Sequence, residues 1–193
     1  MKIFIAKPSP YVRRALICAH EKNLIDRLDL TPIDPWGDPA ELHKQNPIGR
    51  LPTLVLDDGR TMVESLVIMQ HFNAIGDGPD LGGDDTTDAL RRAGINQGII
   101  DSTYAVVIEG RRPESKQWDE LIERQTRVIE RTVDAAEVSD GFDFGDITLV
   151  AGLGYLDFRL PDIDWRAIRP DLGEWMDAMG ARPSVKLTAP AAP

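Results

Sequence analysis

With 193 residues, 42% of them hydrophobic and 28% charged, the chain is long enough for one large or two small domains and too apolar to remain disordered. Its net charge of -10 argues against nucleic acid as a partner, because affinity for a polyphosphate comes from clustered Lys and Arg. The single cysteine, Cys18, excludes an intrachain disulfide and any CxxC redox or zinc pair. The charge is unevenly spread: residues 1–75 hold nine Lys and Arg against nine Asp and Glu, and the remainder holds 13 against 23. The acidic excess reads as a solvated surface that keeps the second part soluble, leaving the first part electrically neutral.

The opening MKIFIAKPSP has a short apolar run broken by Lys7 and two prolines, which predicts neither a signal peptide nor a membrane span; the cytoplasm is the expected location. KIFIA alternates in the manner of a strand. Ser9 followed by Pro10 then starts a helix with Val12, Ala15, Leu16 and Ala19 as its apolar side, Ser being a favoured N-cap and Pro fitting the first helical position. RLDLTPID is strand-like up to Pro32, and the Pro-, Gly- and Asp-rich stretch DPWGDPAELHKQNPIG leaves room for only a short helix near Ala40 to Gln45. TLVL and TMV, separated by DDGR, predict an antiparallel hairpin over residues 53–63, and SLVIMQHFNAI predicts a helix ending at Gly76. The order β-α-β-(short α)-β-β-α describes a small α/β domain with parallel and antiparallel strands in one sheet.

GDGPDLGGD concentrates Gly, Pro and Asp, so a first domain is expected over 1–76, a linker over 77–84 and a second domain over 85–193. That second domain should be all helical: the spacing of Trp118, Leu121, Ile122, Ile129, Val133 and Ala136 is helical, as is DITLVAGLGYLDF, with breaks at RRPES and SDGFDFGD. RPDLGEWMDAMGARPS reads as a last helix closed by Pro183. Gly152-Leu153-Gly154 imitates part of a dinucleotide fingerprint, but it lies in a helical pattern and follows no strand. Asp143 and Asp146 have the spacing of a capping box. His20, His43 and His71 show no metal-ligand spacing, and no metal is expected.

The segment NPIGRLPTLVLDDGRTMVESLVIMQHF, residues 46–72, resembles the glutathione transferase superfamily: Asn-Pro-x-Gly-x-Leu-Pro-x-Leu, a turn, then Glu-Ser opening a helix. Ser-Pro-Tyr-Val-Arg-Arg at 9–14 is similar to the superfamily's first-helix motif, and Asp143 to Asp146 to its capping box, so the resemblance covers essentially the whole chain. It implies a thioredoxin-like first domain, an all-α second domain, a homodimer, and a glutathione site on the first domain facing the cleft between the two. Pro52 would be the family's cis-proline, and Leu51 would pair through its backbone with the cysteinyl part of glutathione. Glu64 and Ser65 would receive the γ-glutamyl carboxylate at the positive helix end, with Glu64 pairing the ammonium; taken alone, Ser65 is an ordinary N-cap.

Ser9 takes the position of the family's catalytic Ser or Cys. A hydrogen bond to a charged group is worth about 1.5–3 kcal/mol and one pKa unit about 1.36 kcal/mol, so one hydroxyl and a helix end suffice to lower a bound thiol by about one to two units. No general base is required. Ser in place of Cys removes mixed-disulfide chemistry, and Cys18, among apolar neighbours, is expected to be a small buried hydrophobe. The loop over 34–42 departs from the family, since it holds no base for the glycyl carboxylate; His43, Lys44 and Trp36 remain as alternatives. Tyr11 and Tyr104 are candidates for the electrophile site with Arg111 or Arg112, Tyr104 reading equally as core. The expected function is a glutathione transferase that attacks a small hydrophobic electrophile. Its rivals are a non-catalytic binding or regulatory protein and a glutathione-dependent peroxidase or lyase.

Overall fold

The KIFI stretch becomes β1 (Lys2–Ile5), whose Ile3, Phe4 and Ile5 are all buried, so the strand is covered on both faces and its burial does not alternate as the sequence suggested. The computed structural model describes residues 1–190. Around β1 stand β2 (Asp29–Pro32), β3 (Thr53–Val55) and β4 (Thr61–Met62), in the order β2-β1-β3-β4. β1 and β2 are parallel, whereas β1 with β3 and β3 with β4 are antiparallel. β2 is an exposed edge strand, which is where its Pro32 is tolerated, because no further ladder needs an N–H there.

The helices α1 (Pro10–Glu21) and α3 (Ser65–Ile75) pack on each other beside the sheet. α3 buries Ser65, Ile68, Met69 and Phe72, a spacing that lines up one face of a 3.6-residue helix. The short α2 (Ala40–Gln45) anchors its loop through the fully buried Leu42. The rest is helical: α4 (Thr86–Glu109), α5 (Asp119–Asp134), α6 (Phe144–Arg159), α7 (Trp165–Ile168), α8 (Pro170–Gly180) and α9 (Pro183–Leu187). α6 is buried nearly all round, between α4 on one side and α1 on the other, which explains why its sequence is so continuously apolar.

A thioredoxin-like sheet unit followed by a helical part is therefore the architecture. The capping box at α6 is complete: the Asp143 carboxylate accepts from the Gly145 N–H at 2.8 Å and the Asp146 N–H at 3.3 Å, and Asp146 accepts from the Asp143 N–H at 3.1 Å. Arg92 of α4 pairs with both carboxylates, so the cap also joins two helices. Gly154 serves packing. A Cβ there would lie 2.0 Å from Nη1 of Arg13, which leaves α1 to donate to the carbonyls of Val150 at 3.2 Å and Val185 at 3.4 Å.

Two expectations need correction. Pro183 does not close the last helix; that helix ends at Gly180, and Pro183 occupies the first turn of α9, where a missing N–H costs nothing. Trp118 is the N-cap residue of α5 and Ala136 lies beyond its end, so the apolar spacing overran the helix at both ends. The single turn of α7 was not anticipated, being too short to display a period. Among the described residues no helix is long and apolar enough to cross a membrane.

Candidate active site

The sheet register brings the functional candidates to one end of the molecule. Phe4 pairs with Thr53, and continuing that antiparallel ladder sets Ala6 level with Leu51. Leu54 pairs with Met62, which by the same step sets Pro52 level with Glu64. Ile5 pairs with Pro32 in the parallel ladder, and the Ile33 N–H donates to the Ile5 carbonyl at 3.0 Å, so the loop carrying Trp36 also leaves from this end. Four connections separated by tens of residues thus converge: the approach to Ser9, the Trp36 loop, Leu51-Pro52 and Glu64-Ser65.

Ser9 is the N-cap of α1 in extended conformation, half-buried, with Oγ accepting from the Val12 N–H at 3.3 Å. This uses one hydroxyl lone pair and leaves the O–H proton available to another acceptor. Lys7, Pro8, Ser9, Pro10, Arg13, Tyr155 and Pro190 line a shallow cleft here, between the sheet unit and α6.

The Leu51–Pro52 peptide is cis. Among the described residues, neither the N–H nor the C=O of Leu51 has a backbone partner beyond the strands. Asn46 braces this corner from behind, its Nδ2 donating to the Arg50 carbonyl at 3.0 Å and to Thr53 Oγ1 at 2.9 Å. That accounts for the buried Asn of the Asn-Pro-x-Gly stretch.

Glu64 is the N-cap of α3 with φ 67° and ψ 112°, a region that costs an L-residue of order 1–3 kcal/mol. Its side chain is exposed, and Ser65 behind it is buried. The Ser65 hydroxyl accepts a hydrogen bond from Nε of Arg14 at 2.8 Å. Arg14 is itself 2% exposed, and burial lowers its guanidinium to about 10, with the Asp101 and Glu64 carboxylates as charged neighbours that favour the cation. It remains charged at neutral pH. Sequence reasoning missed Arg14; the available signal was two adjacent arginines inside the otherwise apolar PYVRRALICA.

Tyr11 and Tyr104 do come together, their rings edge to face at 6.3 Å. Tyr104 is 38% exposed, so it lies at the surface beside Tyr11 and not in the core. The Tyr11 hydroxyl donates to Asp101 at 2.6 Å, and Gln97 donates to the same carboxylate oxygen at 2.7 Å. Burial and this carboxylate push the phenol well above its ordinary value, so it stays protonated. Asp101 and Tyr155 are additions to the candidates read from the sequence.

The loop without a base acquires one from elsewhere in the fold: Arg111, at the end of α4, places its guanidinium 5.4 Å from the Trp36 ring centroid. Arg112 does not join it and sits 3.5 Å from Glu109 on its own helical turn. His43 is drawn to Asp38, with Nε2 at 3.2 Å, and lies under Gly49. Lys44 is exposed. Cys18 is fully buried with its thiol donating to the Met69 carbonyl at 3.4 Å, and burial pushes its ionisation far up. Among the described residues no three His, Cys, Asp or Glu side chains gather as a metal site.

Residues 8–75 match the family model of the glutathione S-transferase N-terminal domain. An uncharacterized GST-like protein, YibF of Escherichia coli K12, is 27% identical, with 98% of each chain covered. A glutathione transferase family member from Pseudomonas fluorescens Pf-5, solved with bound glutathione, superposes with a TM-score of 0.93 at 31% identity over 99% of both chains. A glutathione S-transferase from Methylobacterium radiotolerans, solved with glutathione sulfonate, gives a TM-score of 0.89 at 31% identity, over 100% of this chain and 95% of the other.

Proposed function

The chain belongs to the glutathione S-transferase superfamily, and on that premise we propose that it binds glutathione on a first domain, residues 1–76, and conjugates its thiolate to a small hydrophobic electrophile held against a second domain, residues 85–193, acting as a homodimer. The observation that carries this reading is the convergence of Ser9, Leu51-Pro52 and Glu64-Ser65 at one end of the sheet. In it, Leu51 offers a backbone donor and acceptor to the cysteinyl residue, and the first turn of α3 offers N–H groups with no helical partner to the γ-glutamyl carboxylate. The exposed Glu64 side chain faces the ammonium. For the glycyl carboxylate, Arg111 over Trp36 is favoured above His43, which Asp38 already holds.

Ser9 works as a hydrogen-bond donor. Its lone pair caps α1 through Val12 and its proton points at the glutathione sulfur, so capping and thiolate stabilisation do not compete. A free thiol has a pKa near ~8.5, and a lowering of about one to two units makes a large share thiolate at neutral pH. The thiolate electron pair then forms the C–S bond while the electrophile's leaving group departs with its own pair; nothing is oxidised or reduced. Tyr11 and Tyr104 supply an aromatic wall, and because the Tyr11 proton is committed to Asp101, its contribution is the ring.

The test is retention on immobilised glutathione together with conjugation of a general aromatic electrophile. Failure of both sinks the enzyme reading. Retention without turnover points to a binding protein, and turnover of a peroxide in place of the electrophile points to a glutathione-dependent peroxidase.

A further inference from the structure

Arg14 is the one feature of the site that neither helix capping nor core packing explains. An arginine 2% exposed should be ion-paired, because an uncompensated buried charge is strongly unfavourable. Among the described residues Arg14 has no carboxylate within ion-pair distance, its Nη1 is buried without a partner, and its one side-chain hydrogen bond goes to a neutral serine. That serine opens α3, an eleven-residue helix whose first backbone hydrogen bond is donated only by Ile68, so the N–H groups of Ser65, Leu66 and Val67 have no helical partner. Guanidinium, serine hydroxyl and three N–H groups therefore stand together at a helix N-terminus, all of one polarity. The missing element is an anion.

A hydroxyl has a single proton and two lone pairs. When Nε–H of Arg14 takes a lone pair of Ser65 Oγ, the serine proton is turned away from the guanidinium. Among the described residues the Ser65 hydroxyl donates no hydrogen bond. From this we infer, resting on the glutathione reading above, that Arg14 is a positioning residue that fixes the Ser65 hydroxyl as a donor and so makes the site demand a free α-carboxylate on the γ-glutamyl end of its ligand. A neutral residue of the same length would let the serine hydroxyl rotate and act as an acceptor, and the demand for negative charge would fall away.

The experiment uses the full chain and two probes, glutathione and glutathione whose γ-glutamyl α-carboxylate is converted to the amide, with dissociation constants from calorimetric titration. The wild type is expected to prefer glutathione by about ten- to a hundredfold, the range of a lost charge-assisted hydrogen bond. Arg14→Met should lower that ratio about tenfold by weakening glutathione more than its amide, the α3 N–H groups keeping the remainder, and in the Ser65→Ala background it should add little, because both changes remove the same donor. A merely structural Arg14 would weaken both probes alike and its effect would add to that of Ser65→Ala; either result overturns the inference. If Arg14→Met does not fold, judged by its circular dichroism, Arg14→Gln decides, since its neutral amide oxygen can accept the serine proton and should lower the ratio in a folded chain, and an unchanged ratio overturns the inference. A wild-type chain that binds both probes equally overturns it while leaving the glutathione reading intact. Binding of neither probe overturns that reading, and this inference with it.

Discussion

Ser9→Ala separates two roles that one hydroxyl carries. The cap is weak in this structure: the Val12 N–H lies 3.3 Å from Oγ, at the long end for a hydrogen bond, so the cost to folding should be at the low end of the cap range, about 0.5–1 kcal/mol. The effect on bound glutathione should be larger, since losing a hydrogen bond to a thiolate is worth about 1.5–3 kcal/mol, which at about 1.36 kcal/mol per unit raises the thiol by about one to two pKa units. The sign follows from which form the hydroxyl favours. It stabilises the deprotonated sulfur, so its removal shifts titration to higher pH, and at a pH below both values the thiolate fraction falls about 10- to 100-fold. Well above both values the two proteins should turn over alike. Ultraviolet absorbance of the bound thiolate as a function of pH, alongside the pH profile of kcat/KM, measures this directly. If the bound thiol titrates identically in wild type and variant, Ser9 is a helix cap and the mechanism proposed for it is wrong.

Glu64→Gly should relieve a backbone cost of order 1–3 kcal/mol at φ 67° while adding about 0.5–1 kcal/mol of chain entropy to be lost on folding, so denaturant melts should show equal or higher stability. Calorimetry on the same variant should show glutathione binding weakened about tenfold, as expected for a lost pairing with the ammonium; a loss of stability would contradict the strain argument. Gly78→Ala would place a Cβ 1.8 Å from the Glu21 carbonyl oxygen, a backbone atom that cannot swing aside, and should lower unfolding free energy by roughly 1–3 kcal/mol, read from the shift in denaturant midpoint. Cys18 stays protonated in the fold while the unfolded thiol ionises above about 8.5, so the unfolded state binds fewer protons there and stability should fall with rising pH, by at most about 1.36 kcal/mol per unit. Melts of wild type and Cys18→Ala between pH 7 and 10 test it: the slope should be shallower in the variant, the buried Tyr11 leaving a remainder near pH 10.

Elements whose signal is local were legible before the fold was known. The hairpin around DDGR, the helix opened by Ser9-Pro10 and the capping box at Asp143 depend on turn chemistry and on donors within a few residues, and each appears where its residues call for it. Elements whose extent depends on neighbours were misjudged. The apolar pattern of α5 ran past both ends because Trp118 and Ala136 are apolar without belonging to the helix, and α7 is a single turn held by the buried Trp165. For Tyr104 the choice between core and surface could not be made from spacing, since facing is set by what packs alongside; it lies at the surface, with the Tyr11 ring as neighbour.

By itself the sequence determined which residues have the right chemistry: a serine at a helix start, a proline ahead of a strand, an acid and a serine where a strand gives way to a helix. Only the tertiary structure decided what supports them. Arg14 reaches Ser65 across 51 residues, Tyr11 donates a hydrogen bond to Asp101 across 90, and Arg111 brings a cation to a loop that has none. The physical reason is that caps and turns are satisfied by atoms a few bonds away, whereas a buried charge or a hydroxyl's orientation is fixed by whichever distant group the folded chain carries within 3 Å or so of it.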